Sequence, residues 1–353
     1  MKILLVDNGV TGHHISYIKA ILSYCNEFNF KVALPEEVDS IPCDIYCYHN
    51  HMEKDRTYKT YSKWIDEIYK LAVQEKVNII HFLEGDTLYR FLGCGLNRFR
   101  KYKVITTFHH VRYGFLQDAS AHRIASKVDK IVVHSEYIKD AFIKKGVKNT
   151  VHIEYPQFSD IVFEKEYAKQ ALGLDIHLPV IGSIGATREE KGLDILLSAL
   201  SIVEEPFQLL IAGKEAAFDG KFIGEHSKAY QNRVHTILRF LSEEELALAF
   251  CASDIICLPY RRSFDGASGP LGEGVALGNC IIGPKHGNLA KTIRENHLGY
   301  LFESENVEDL GKVLSRALKS TFIPDDKYRS YQASLSPKSF GEKYNQLYRS
   351  VSG

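Results

Sequence analysis

Between the apolar runs DIICLPY and CIIGP, residues 264–280 read FDGASGPLGEGVALGNC. This one turn holds two carboxylates, Asp265 and Glu273, and three glycines ahead of residue 274. Pro270 suits the first turn of a helix, where its missing N–H is not needed. The spacing therefore predicts that Gly266, Ser268 and Gly269 lie where a strand hands over to a helix N-terminus. Unpaired backbone N–H groups and the positive end of the helix dipole meet there, and both suit a phosphate. Glycines let that backbone approach a ligand closely. Glu273 is expected in the first helical turn and Asp265 in the loop before it. A carboxylate binds phosphate poorly but accepts hydrogen bonds from sugar hydroxyls, so the stretch suits a sugar joined to a phosphate. A simpler reading stays open: Glu273 complements the dipole, Asp265 is a turn residue, and the glycines make the bend.

Four other stretches bear on the choice. GATREEKG (185–192) also joins a strand to a helix, and Arg188 and Lys191 could cover a diphosphate, one as a fork and one as a point charge; a solvated charge run reads the same way. NGVTGHH (8–14) follows the first strand, and Gly9 and Gly12 could bring amides to a ligand or simply form the turn. VITTFHH (104–110) ends a strand on His109 and His110. A histidine there could bond a sugar hydroxyl or take part in proton transfer, or be structural. In FLSEEELALAF (240–250), Ser242 and Glu245 form a capping box, a structural motif whose preceding backbone could receive a planar base.

These stretches need a scaffold that brings strand ends together. Short apolar runs alternate with segments of helical period along the whole chain. KILLVD, FKVALP, VNIIHFL, KVITTFHH and KIVVHS read as strands in the first part, VIGSIGA, FQLLIAG, DIICLPY and CIIGP in the second. Trp64, Ile65, Ile68, Leu71 and Ala72 mark one face of a helix between the early strands. Alternation of this kind implies parallel sheets covered by helices on both faces. Such folds bind ligands outside the carboxyl ends of their strands. With two domains, the cleft between them is the expected site. Residues 154–179 break the rhythm with two prolines and no long apolar run, and a short helix is expected near 165–172. The predicted organisation is an N-terminal Rossmann-like domain over 1–158, completed by a helix at 337–351, a linker at 159–179, and a second Rossmann-like domain over 180–335.

Length and composition agree with this. At roughly 100–200 residues per domain, 353 residues imply two. Formal net charge is zero, which argues against a nucleic-acid partner. Seven scattered cysteines without a Cys-x-x-Cys pair read as reduced core thiols of a cytoplasmic protein rather than a metal site. MKILLVDNGVTGHH reads as a buried first strand, not a signal peptide, and no run approaches the ~18 apolar residues of a membrane span.

Taken together, GATREEKGLDILLSAL, FLSEEELALAFCASDIICLPY, DGASGPLGEGVALGNCIIG, VITTFHH and SFGEKYNQLY resemble, in order and spacing, the retaining glycosyltransferases of family 4. The resemblance is densest over 180–302. It implies the GT-B fold and transfer of a sugar, with retention, from a nucleotide diphosphate sugar of UDP or GDP type to an acceptor hydroxyl, in glycan or surface polysaccharide synthesis. By position it implies that Lys191, with Arg188 nearby, binds the diphosphate and that Glu273 holds the ribose. Asp265 with the backbone of Ala267, Ser268 and Gly269 would hold the donor sugar and distal phosphate. Leu241 would contact the base through its backbone, Gly12 would lie near the phosphates, and His109 would touch the donor sugar. His109, Asp265 and Lys191 form the implied catalytic set. No metal and no cofactor beyond the donor are expected, because lysine and helix dipole carry the leaving-group charge.

Three positions depart from the family pattern. Asp265 replaces a glutamate, Ala186 stands where arginine is usual, and Arg239 stands near a usual glycine. They keep two other readings open, a nucleotide- or glycan-binding relative that does not transfer and a nucleotide-sugar epimerase of the same fold. The acceptor, a glycan, a lipid-linked sugar or a small molecule, is expected on the N-terminal domain. LNRFRKYK (96–103) interleaves Arg98, Arg100, Lys101 and Lys103 with Phe99 and Tyr102. It could touch the inner face of a membrane peripherally or be a solvated loop.

Overall fold

The computed structural model describes residues 1–10, 13–52, 54–109, 114–157, 161–264 and 268–352, with residue 13 described by its backbone alone. Two compact units result, Met1–Phe158 with Pro337–Gly353, and Ser159–Ser336.

The first unit carries β1 (Lys2–Val6), β2 (Asn29–Leu34), β3 (Ile45–Cys47), β4 (Ile79–Phe82), β5 (Lys103–Phe108), β6 (Lys130–Val133) and β7 (Thr150–His152). They form a parallel sheet in the order β3-β2-β1-β4-β5-β6-β7. Successive side chains of a strand point to opposite faces. Accordingly Leu4 and Val6 enter one apolar layer with Trp64, Ile80 and Phe82. Ile3 and Leu5 enter the other with Ile18, Ile79 and Ile105. Both faces are covered, which is why the strands read as unbroken apolar runs. The C-terminal helix Pro337–Ser352 joins the second of these layers through Phe340, Tyr344, Leu347, Tyr348 and Val351, a helical-period stripe.

The second unit carries β8 (Val180–Ile184), β9 (Gln208–Ala212), β10 (Val234–Ile237), β11 (Ile255–Cys257), β12 (Cys280–Pro284) and β13 (Gly299–Phe302), again all parallel, in the order β10-β9-β8-β11-β12-β13. In each sheet the strand order reverses, between β1 and β4 and between β8 and β11. The crevice outside the carboxyl ends at such a point is where doubly wound sheets bind ligands.

The stretch read as a linker, 159–179, is not one beyond its first residues. Residues Lys165–Ala171 form a helix whose Ala168 is fully buried, and Leu174 lies in the same core. Lys169 Nζ reaches Asp254 Oδ2 at 3.0 Å and the carbonyl of Leu178 at 2.8 Å. The short helix expected near 165–172 is thus present, but it packs as part of the second unit's core. Cys25, Cys251, Cys257 and Cys280 are buried as free thiols. Among the described residues, no helix is long and apolar enough to cross a membrane.

Candidate functional site

In the second unit, the loops leaving neighbouring strands β8 and β11 carry most of the singled-out residues. Gly185 follows β8 with φ of +115°, a conformation open to glycine. A Cβ there would stand 2.5 Å from Lys191 Nζ and 3.7 Å from Pro270 Cγ. The lysine amine thus lies over bare backbone, beside the start of helix Gly269–Ala276. Gly192 turns the chain at φ +64°, and a Cβ on it would meet the Pro259 carbonyl oxygen at 2.2 Å. The β8 and β11 loops are therefore pressed together with no room for a side chain. Arg261 ties the same two loops. Its N–H donates to Glu190 O at 2.9 Å, its Nε to Glu189 O at 3.1 Å, and its guanidinium meets Asp194 at 2.5 Å. Gly192→Ala is expected to destabilise the second unit by about 1–3 kcal/mol through backbone strain and to displace Lys191. Melting temperature and donor affinity should fall together; an unchanged melt would show that the loops tolerate separation.

Lys191 is only partly exposed. Burial, and then the nearby Arg188, pull its amine down from the usual lysine range to about 8. Glu190 opposes this shift, but its carboxylate pairs with Arg188 at 3.0 Å. Among the described residues no carboxylate stands within ion-pair distance of Lys191 Nζ; the Tyr260 ring lies 5.8 Å away. Arg188 is exposed and its Nε pairs with Glu190, so the fork expected on a diphosphate shares its charge with a neighbour.

Ser268 caps the helix Gly269–Ala276, its hydroxyl accepting from Leu271 N–H at 3.3 Å, and it lies 3.4 Å from the Tyr260 hydroxyl. A Cβ on Gly269 or Gly272 would meet nothing within 4 Å, so the first turn faces open space. The helix begins at Gly269, one residue before Pro270, which places Glu273 in the second turn rather than the first. The dipole's pull fades within the first turn, so complementing it does not account for this acid. Glu273 stands four residues after Gly269 and shares its open face.

Leu241 is buried and follows Phe240, which is 74% exposed. They lie just past edge strand β10, two strands from β8, about 10 Å across the sheet. The capping box forms as its sequence implies, with Glu245 N–H on Ser242 Oγ at 3.2 Å and Ser242 N–H on Glu245 Oε2 at 2.9 Å. Arg239 also binds Glu245, at 2.8 Å, which gives that departure a structural partner.

Three positions went unread. Nothing in the local sequence marks Arg261. Thr187 is buried, donating to the Phe218 carbonyl at 2.8 Å and accepting from Ala216 N–H at 2.9 Å, so it ties the β8 loop to the loop after β9. Tyr260, whose hydroxyl burial pushes up to about 12, backs both Lys191 and Ser268.

In the first unit, β1 leads into Asp7 and Asn8, both buried. Tyr48 donates to the Asp7 carbonyl and to Asn8 Oδ1, each at 2.9 Å. A Cβ on Gly9 would collide with the His14 ring at 2.4 Å, so that glycine makes room for a side chain of its own unit. His109 follows β5 directly, partly exposed, with Nε2 donating to the Leu83 carbonyl at 2.9 Å. Gly12, Asp265 and Ala267 lie outside the described residues, as do His110 and Gly266. A cleft of about 560 Å³ opens at this end of the sheet, lined among others by Asn8, Arg56, Glu84, Thr87, Arg90 and Leu116. The basic stretch lies at the opposite, amino end of the strands, where Lys103 begins β5. There Arg98 pairs with Asp66 and Lys103 with Asp129, while Lys101 sits over the rings of Tyr69 and Tyr102.

The sequence can now be set beside known proteins. Residues 164–334 match the family model of glycosyl transferases group 1. That span holds Lys191, Arg188, Leu241, Ser268, Gly269 and Glu273. Glycogen synthase 1 of Bradyrhizobium diazoefficiens is 26% identical over 194 residues, which cover 53% of this chain and 41% of the relative. The match therefore spans about two fifths of that relative's length. Among solved structures, a glycosyltransferase from Rickettsia africae superposes with a TM-score of 0.78 at 17% identity, covering 99% of this chain and 98% of that one. The Anabaena protein HepE in complex with UDP superposes with a TM-score of 0.74 at 14% identity, covering 99% and 100%. At these identities the likeness shows the fold. It is GT-B, two Rossmann-like units in one chain, with the group 1 segment forming nearly all of the second.

Proposed function

We propose that the chain is a glycosyltransferase that moves a sugar from a nucleotide diphosphate sugar, of UDP or GDP type, to an acceptor hydroxyl with retention, in glycan or polysaccharide synthesis. One observation carries this reading. The group 1 segment holds a partly buried lysine amine with no ion-pair partner among the described residues, over the bare backbone of Gly185 and beside a helix N-terminus with open space before it. A buried cation without a counter-charge is costly, and a diphosphate supplies the missing charge. The UDP held by the Anabaena structure agrees with a uridine donor.

In this reading the bond from the sugar's anomeric carbon to the diphosphate oxygen breaks, a bond from the same face to the acceptor oxygen forms, and the acceptor's hydroxyl proton passes to the departing diphosphate. Lys191, Arg188 and the N–H groups at Ser268 and Gly269 receive the negative charge that develops on the leaving diphosphate. Glu273 takes the ribose hydroxyls, the backbone at Leu241 the base, and Asp265 with Ala267 the donor sugar. In the first unit Gly12 stands for a phosphate contact and His109 for a contact to the donor sugar. The cleft lined by Asn8, Arg56, Glu84, Asp86, Thr87 and Arg90 is assigned to the acceptor, and two guanidinium groups beside two carboxylates suit a polyhydroxyl ligand.

The test is a screen of UDP-, GDP-, ADP- and dTDP-sugars by thermal shift and by nucleotide release. One donor is expected to raise the melting temperature and be slowly hydrolysed, with UDP- or GDP-sugars leading. A shift without release, persisting when glycan and lipid-linked acceptors are supplied, would identify a binding protein instead. Interconversion of the donor sugar would point to an epimerase. No shift with any donor would overturn the sugar-nucleotide reading of the β8 and β11 loops.

A further inference from the structure

The buried titratable side chains of the first unit that none of these roles uses include Tyr17, His81, His134, Tyr344 and Tyr348. Three of them form a directed series. His134 Nδ1 donates to the Ile153 carbonyl at 2.9 Å, a group that can only accept. In the neutral ring Nε2 is then the acceptor, so the Tyr17 hydroxyl, 3.3 Å away, is its donor. The Tyr17 oxygen in turn accepts from the hydroxyl of Tyr344, on helix Pro337–Ser352. Behind them His81 is fully buried between the Tyr348 hydroxyl at 2.8 Å and Thr107 Oγ1 at 2.9 Å.

His109 forms the front of this cluster. Its ring centroid lies 5.0 Å from that of His134, 5.8 Å from Tyr17 and 6.2 Å from Tyr155. The hydrogen bond from Nε2 to Leu83 fixes one atom of the ring, and the packing on its flanks bears on the orientation of the rest. Three rings fill them, and two of the three are locked by the hydroxyl series to a helix more than 200 residues away in sequence.

We propose that Tyr17 and His134 are positioning residues for His109, anchored to the C-terminal helix through the Tyr344 hydroxyl. Their bearing on the reaction rests on the role given above to His109; their hold on its ring does not. Tyr17→Phe and Tyr344→Phe each keep the ring and remove one hydroxyl. In the full chain labelled with ¹⁵N-histidine, and with His109→Gln to assign the signal, wild-type His109 is expected to show one Nε2–H tautomer with a protected proton. In Tyr17→Phe that proton should exchange about tenfold faster or more, as local opening becomes easier. Turnover should fall about tenfold at unchanged KM for the donor, since small misplacements of a reacting group lower rate more than binding. Tyr344→Phe should move both readouts in the same direction by less, and it carries the test alone if Tyr17→Phe does not fold. Unchanged His109 signals in the folded variants, even with a lowered melting temperature, would overturn the proposal and leave the hydroxyls merely structural. Altered His109 signals with unchanged turnover would keep the positioning role and remove His109 from the transfer chemistry.

Discussion

Replacing Lys191 by methionine is expected to abolish sugar transfer and, in the same protein, to raise the melting temperature. The two effects share one cause. The amine's pKa is about 8 in the folded chain because burial and then Arg188 disfavour its charge, against about 10.4 for a free lysine. Between those values the unfolded chain binds more protons than the folded one, so stability rises with pH across that window. Below pH 8 the charged amine burdens the folded state by its full amount. Partial exposure screens the effect, so removing it should stabilise the protein by only about 1–2 kcal/mol at pH 7. Methionine keeps the apolar stem and its contact with Tyr260.

Binding has the opposite sign. A diphosphate favours the ammonium form, so donor affinity in the wild type should fall as pH rises through about 8, approaching tenfold per pH unit. Lys191→Met should lose that slope along with about 100- to 1,000-fold or more of the rate, the scale of losing one group that stabilises developing charge. Calorimetric melts and donor titrations from pH 6.5 to 9.5 read all three quantities. Transfer retained within tenfold, or a melt lowered in the variant, would remove Lys191 from the diphosphate. Higher stability with lost function is the pattern of a residue kept for its chemistry.

Glu273→Gln is expected to weaken the donor by about 10- to 100-fold, because hydrogen bonds to a charged acceptor are worth about 1.5–3 kcal/mol. Stability should move by no more than about 1 kcal/mol, the common scale for a single substitution outside the core. The carboxylate stands in the second helical turn, beyond the reach of the dipole, on the face whose first turn is open. A ligand-based cycle decides its role. The wild type should bind UDP far better than 2′,3′-dideoxy-UDP, and the variant should barely distinguish them, since coupling energy reports direct contact. Equal discrimination in both proteins would place Glu273 away from the ribose.

Much of the architecture was legible from the chain. The strand-helix alternation and the capping box at Ser242 rest on contacts within four residues or on side-chain period. So does the stripe of Phe340, Tyr344, Leu347 and Tyr348, and a sequence states such contacts directly. The helix Lys165–Ala171 was legible near 165–172, but its place in the second unit's core was not, because it buries a single small face. Glu273 was placed one turn early because Ser268, not Pro270, decides where the helix starts.

What the sequence determined by itself is the inventory and its local geometry: parallel α/β units, their caps, and the residue types on the loops after β1, β5, β8, β10 and β11. Tertiary structure decided which of these loops are neighbours. The order β9-β8-β11 sets Gly185 beside Pro270, lets Arg261 join two loops some 70 residues apart, and ties Thr187 to Phe218. In the first unit it sets His109 among Tyr17, His134 and Tyr155 and anchors them to the last helix. The reason is physical. Strand order is settled by burying both faces of a sheet at once, a condition on the whole domain that leaves no mark at any single position.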